Sequence, residues 1–165
     1  MAKIFSIALT ICALLITSTA FASVEVLFVV NCTESVTLRK SPSVDSEELT
    51  QIPLNHGVVF LEDAGNGFYR VIFGRHSGYV LAEYLSSNEP YDLPQGMLVK
   101  RATVFESPST NSNVITTIIS GHWVDYIDDA YFSTSDVPDF YLVRLPGGTY
   151  GYITADKVDW NYRRR

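Results

Sequence analysis

Beyond the N-terminal apolar segment four side chains carry a thiol or an imidazole: Cys32, His56, His76 and His122. A thiol beside an imidazole is the pairing that cysteine hydrolases use, with the base drawing the proton so that the thiolate attacks. The arrangement along the chain argues against that use. Cys32 follows the apolar run VLFVV and falls in a predicted strand, where its thiol is expected to be buried and inert. His56 and His122 occupy equivalent places in two similar stretches, which suits a turn better than shared catalytic machinery. A zinc site is not expected, because no two of these ligands are closely spaced and one of the chain's two cysteines, Cys12, sits in the N-terminal apolar segment. The acidic clusters lack the alternating oxygen ligands and central glycine of a calcium loop. The residues therefore predict no catalysis, no metal and no cofactor.

The elements around these residues begin with a leader. Lys3 gives a positive start, residues 4–16 are apolar, and Ala20-Phe21-Ala22 reads as a cleavage signal before Ser23. The apolar run is shorter than the ~18–20 residues a spanning helix needs, so a cleaved signal peptide (1–22) is expected and no membrane span after it. The product is expected outside the cytoplasm, secreted or periplasmic. Removal of Cys12 leaves Cys32 alone, which excludes an internal disulfide. The chain carries 18 acidic and 12 basic residues, a net charge of −6, which disfavours nucleic acid or an anionic lipid surface as partner. The one compact basic run, Arg163-Arg164-Arg165, reads as a frayed tail (161–165).

Beyond the leader the chain repeats itself. LRKSPSVDSEELTQI (38–52) matches VFESPSTNSNVITTI (104–118) at an offset of 66, which also sets His56 on His122 and Phe60-Leu61-Glu62-Asp63 on Tyr126-Ile127-Asp128-Asp129. The offset widens to 72 at Phe68/Phe140, after the insertion AYFSTSDVP, and to 73 at Gly78/Gly151. Insertions confined to the gaps between apolar runs are what loops tolerate. The runs are short, rich in Val, Ile, Tyr and Phe, and bounded by Gly, Pro, Ser or Asn, so they read as strands. No window sustains a helical period. Only LAEYL and TADKV suit a single helical turn. Each copy is predicted to fold as a barrel of about five short strands, a size at which a lone core is marginal. The two copies either dock or hang semi-independently on a linker (88–95) that Pro90 and Pro94 stiffen.

The first copy resembles a bacterial Src-homology-3-like (SH3b) domain. The resemblance is carried by LRKSPS, by the spaced strand before IPLNHG, by NGFYRV and by the closing GYVLAEYL. The second copy is a more divergent match, with VFESPS and TADKV at the corresponding ends. The expected fold is thus all-β, two small SH3-like β-barrels in tandem, at 26–87 and 96–160. The resemblance implies binding rather than catalysis, with peptidoglycan or its peptide stems as ligand. The Asp-Cys-Ser-Gly helix start of thiol peptidases that cleave walls is absent. By position, the aromatic shelf of this fold's peptide-binding relatives corresponds to Phe68 and Tyr84, with Leu81 beside them. Alternation supports the assignment: if Tyr69 and Val71 fill the core, Phe68 faces outward and joins Tyr84 in an apolar surface with one polar handle. Glu62, Asp63, Arg75 and His76 are candidate polar anchors on its rim. Equally, Phe68 and Tyr84 are suited to packing between the two copies.

In the second copy the shelf positions are Phe140, Thr154 and Lys157, which removes the tyrosine. Its insertion instead gathers Asp128, Asp129, Tyr131, Phe132, Asp136 and Asp139 into an acidic aromatic loop. Such a loop is either a recognition element for a cationic amine or partner protein, or an ordinary long loop. Two readings of function follow: an exported, non-catalytic wall-binding protein, or an envelope protein-interaction factor such as an inhibitor, immunity-type partner or scaffold.

Overall fold

The computed structural model describes residues 24–130 and 137–162. Fourteen strand segments form two antiparallel sheets of seven. In the first unit these are β1 (Val26–Val29), β2 (Ser35–Arg39), β3 (Glu48–Pro53), β4 (Gly57–Gly65), β5 (Phe68–Phe73), β6 (His76–Leu81) and β7 (Leu85–Ser86). In the second they are β8 (Gln95–Leu98), β9 (Ala102–Phe105), β10 (Val114–Ile118), β11 (Trp123–Ala130), β12 (Phe140–Arg144), β13 (Tyr150–Thr154) and β14 (Val158–Asp159). The strand orders are β3-β2-β6-β5-β4-β1-β7 and β10-β9-β13-β12-β11-β8-β14, the same path traced twice. Single 3-10 turns at Ala82–Tyr84 and Ala155–Lys157 occupy the two places where the sequence suits a helical turn. Each unit has seven strand segments rather than about five. The extra ones are the opening strand and a two-residue closing strand that pairs with it, β1 with β7 and β8 with β14. Among the described residues no helix is long and apolar enough to cross a membrane.

Alternation along the strands builds a core inside each sheet. Val36 and Leu38 of β2, Ile52 of β3, Val58 of β4, Val71 of β5 and Val80 of β6 enclose the first core. Leu98, Ala102, Val104, Val124, Val143 and Ile153 repeat it in the second. The repeated glycine pair explains how β6 and β13 approach so closely. A Cβ on Gly78 would stand 2.5 Å from the Arg39 carbonyl oxygen, and one on Gly151 would collide with Val104. Only glycine admits such an approach without moving the neighbouring strand.

A third core joins the two units. Val26, Phe28 and Val59 of the first pack with Phe105, Ile127, Ala130, Phe140, Leu142 and Tyr152 of the second. Gly57 lies under this joint, where a Cβ would come within 2.5 Å of Ile127 Cγ2. The two units are therefore docked, not suspended on a free linker. The linker is itself strapped down: Leu93 packs on the shared core, Glu89 bonds to Arg144 and Tyr150, and the Tyr126 N–H donates to the Pro94 carbonyl at 2.7 Å. Burial of this kind is how two units of marginal size share one larger apolar interior.

Candidate functional site

The sequence places an exposed aromatic shelf at Phe68, and the structure corrects that placement. Tyr69 and Val71 do face the first core, as alternation requires, but the opposite face of β5 is covered as well. Ile72 packs against the shared core and Phe68 is only 4% exposed, paired across the strands with Gly65 and Leu81. Its counterpart Phe140 is buried in the shared core, edge-on to Phe105. Neither ring is available to a ligand. A period of two separates the faces of a strand without revealing whether both faces are covered.

Tyr84 and Leu81 have a different setting. Both line a groove of about 450 Å³ together with Val80, with Ser35, Val36, Thr37 and Arg39 of β2, and with the loop residues Asn31, Cys32 and Thr33. Three local features build it. Asn31 takes a left-handed conformation (φ 58°), which turns the chain sharply out of β1. Its side-chain amide donates to the Glu83 carbonyl at 2.9 Å, and the Val30 N–H donates to the Tyr84 carbonyl at 2.9 Å, so the loop is clamped to the 3-10 turn. The β1–β2 connection then spans residues 30–34, against only 99–101 between β8 and β9. Cys32 is consequently a half-buried loop residue on the groove wall, not a strand residue in the core.

The groove offers several recognition elements. Tyr84 packs its ring against the first core from the rim, and Arg39 is the only cationic side chain in the lining. One guanidinium nitrogen of Arg39 donates to the Ser46 carbonyl at 2.9 Å, which fixes the side chain in place. Asn31, Thr33, Ser35 and Thr37 add hydroxyl and amide groups suited to a peptide backbone. The second unit lacks this assembly. The repeat puts Phe105 in place of Arg39, Thr154 in place of Leu81 and Lys157 in place of Tyr84. Lys157 pairs there with Asp156 at 2.7 Å, and this lysine, with Thr154 and Lys100, lowers the Asp156 pKa to about 2.

The remaining candidates are brought together in unexpected company. Glu62 and Asp63 lie on β4 away from the groove, with Glu62 paired to Arg70 at 3.2 Å and Asp63 accepting from the Gly65 N–H at 2.8 Å in the hairpin turn. Arg75 and His76, expected on the shelf rim, instead face Asp128 and Asp129 across the joint between the units. With His56, Phe73, Gly74 and Tyr126 they line a cleft of about 270 Å³. Asp128 and Asp129 are thus strand residues of β11, not members of an open loop. Tyr131, Phe132 and Asp136 lie outside the described residues.

Asp128 is 5% exposed and bridges the two units. The Gly74 N–H donates to one carboxylate oxygen at 2.6 Å and the Asp129 N–H to the other at 2.9 Å. His56 Nε2 stands 3.4 Å from Asp128 Oδ1, within ion-pair range but outside hydrogen-bond geometry, and its ring sits edge-on to Phe73 and Tyr126. Burial raises the Asp128 pKa, against the opposing pull of His56 and the two N–H donors. Burial, with the charge of Asp128 nearby, pushes the Tyr152 phenol up to about 12. The arrangement is a polar latch within an apolar joint. His122, the repeat's equivalent of His56, is exposed and lies 3.3 Å from the Ile119 carbonyl of its own turn. Among the described residues no three His, Cys, Asp or Glu side chains converge to hold a metal ion.

Comparison with known proteins agrees with the architecture of the first unit. Residues 34–86 match the bacterial SH3 domain family. No curated protein matches the chain in sequence. Solved structures similar to it include two from Trichomonas vaginalis. NlpC2 is 18% identical with a TM-score of 0.48, over 87% of this chain and 50% of that one. NlpC1 is 19% identical with a TM-score of 0.49, over 88% of this chain and 48% of that one. The chain spans about half the length of either.

Proposed function

We propose that this chain is an exported, non-catalytic protein of two tandem SH3b-like units that recognises peptidoglycan or cell-wall peptides through the first of them. The observation that carries the reading is the groove beside Tyr84 and Leu81, lined by Asn31, Cys32 and Thr33 and otherwise by residues of the segment 34–86 that matches the bacterial SH3 domain family. Its composition suits a peptide. An aromatic ring and aliphatic walls accept apolar surface, hydroxyls and an amide face the peptide groups, and Arg39 can pair with a carboxylate. The net charge of −6 makes general attraction to anionic wall polymers a poor driving force, so recognition rests on these local contacts. The second unit, which lacks the long β1–β2 loop and the tyrosine, acts as a support that covers the apolar flank of the first.

Co-sedimentation with purified sacculi tests the proposal. The mature chain, from Ser23 onward, is expected to pellet with the wall, and Thr33→Trp, which fills the groove from an exposed loop position, is expected to abolish pelleting without altering the melting temperature. Wild-type protein that stays in the supernatant while a specific envelope protein co-purifies with it would favour the alternative, a protein-interaction factor.

A further inference from the structure

We propose that the outer edge of β10 pairs with the same strand of a second copy of this chain, forming a two-fold antiparallel dimer. Among the described residues, strand β10 ends its sheet and pairs with β9 alone. Among the described residues no further backbone hydrogen bond reaches Val114–Ile118, so one row of its amide and carbonyl groups is open to another strand.

The repeat shows what is unusual about this edge. The equivalent strand of the first unit, β3, also ends its sheet, and it carries the residues that normally blunt an edge. Glu47 pairs with Lys40 at 2.8 Å, Glu48 and Gln51 are exposed and bonded to each other, and Pro53 closes the strand. At the offset of 66, these positions become Asn113, Val114, Thr117 and Ile119 in the second unit. Two charges, an amide and a proline have been exchanged for four uncharged residues, three of them β-branched. Val114 and Ile119 are 51% and 55% exposed, an arrangement that no feature of the monomer uses.

The occupant follows from the run itself. Val114-Ile115-Thr116-Thr117-Ile118-Ile119 is uncharged and β-branched at every position, so a reversed copy of itself meets it with favourable partners in any register. Antiparallel pairing about Thr117, the register a two-fold axis allows, sets Thr117 against Thr117, Thr116 against Ile118 and Ile115 against Ile119 of the other copy. Threonine and β-branched partners are favourable cross-strand pairs. Residues 107–121 contain no Asp, Glu, Lys or Arg, so two acidic chains meet there without opposed like charges. A groove of about 500 Å³ beside the strand, walled by Ile115, Ile118, Leu145 and Pro146, offers further apolar surface to the incoming copy. An isologous contact of this kind closes at two chains and leaves the Tyr84 groove of each copy on a separate unit. The inference does not depend on what that groove binds, although a dimer would present two such grooves to one polymer.

A single strand pair buries less than the roughly 1,200–2,000 Å² of a standard stable interface, so the association is expected to be concentration-dependent. Sedimentation velocity of the mature chain from micromolar to millimolar concentration should show a shift from monomer to twice the monomer mass. The triple variant Val114→Glu, Thr117→Gln, Ile119→Pro, which restores the first unit's own residues, should remain monomeric at every concentration with its thermal transition retained. If that variant does not fold, Thr117→Lys, a single exposed substitution that sets two lysines against each other on the two-fold axis, makes the same test. A wild-type chain that stays monomeric throughout overturns the proposal. So does a dimer that survives either substitution, or growth into species larger than two.

Discussion

Replacing Gly57 with alanine probes the joint between the units at its tightest point. The new methyl would lie 2.5 Å from Ile127 Cγ2 and 3.3 Å from Phe28 and Val26. Ordinary contact begins near 3.4 Å, and Ile127, 2% exposed, cannot swing into solvent. The units must part by about 1 Å or side chains must leave their rotamers, and overpacking of this order costs about 1–3 kcal/mol. Ile127→Ala by itself removes buried methyl groups and should cost about 2–5 kcal/mol. In the double variant the atom that the methyl strikes is gone, and only the milder contacts within the first unit remain. Gly57→Ala should then cost less than about 1 kcal/mol, a coupling of about 1–2 kcal/mol between residues 70 positions apart in sequence. Urea denaturation of the four proteins in the cycle measures it. Equal costs of Gly57→Ala in both backgrounds would refute the docking of β4 against β11.

Three further outcomes follow from the same contacts. Because burial lifts the Asp128 pKa in the folded state, its contribution to stability is fully present below the unfolded value and lost as pH rises through the folded one. Asp128→Asn should therefore gain stability relative to wild type between acid and neutral pH, and a difference between their urea midpoints that is flat with pH contradicts the latch. The nearest obstacle to Gly78→Ala is a backbone carbonyl, that of Arg39 at 2.5 Å, whereas Gly151→Ala first meets the Val104 side chain at 2.4 Å and the Phe105 carbonyl only at 3.2 Å. The first should lower the denaturation midpoint more than the second, and the reverse order would show that β2 yields more readily than Val104. Tyr84→Ala should weaken wall-peptide binding at least tenfold in calorimetry, while Lys157→Ala at the equivalent place in the second unit should leave it unchanged.

The doubled architecture is legible in the sequence because it depends on local pattern. Alternation in FYRVIF assigns Tyr69 and Val71 to the interior correctly, and the glycine and proline boundaries separate the strands. What alternation lacks is information about a second layer. Phe140 sits on the outer face of its strand and is nonetheless buried, because it joins Phe28, Val59 and Ile72 in a core that exists only once the units dock, and Phe68 on the outer face of β5 is 4% exposed between Gly65 and Leu81. For the same reason Arg75, His76, Asp128 and Asp129, assigned to separate places along the chain, meet across one cleft. A signal for the joint was present in the repeat: Gly57 aligns with Trp123, an exchange that a purely local role would not require. The groove rests on a different signal, the longer β1–β2 connection of the first copy, which lies ahead of residue 38, where the two copies begin to correspond.

The central claim is that the groove between the 30–34 loop and Tyr84 takes a wall peptide. Titration of isotopically labelled mature chain with soluble wall peptide fragments, followed by amide NMR, tests it residue by residue. Saturable shifts are predicted at Asn31, Thr33, Thr37, Arg39, Leu81 and Tyr84, with the second unit silent. Shifts confined to β10 or to the cleft at Asp128, or no shift at millimolar fragment, would contradict it.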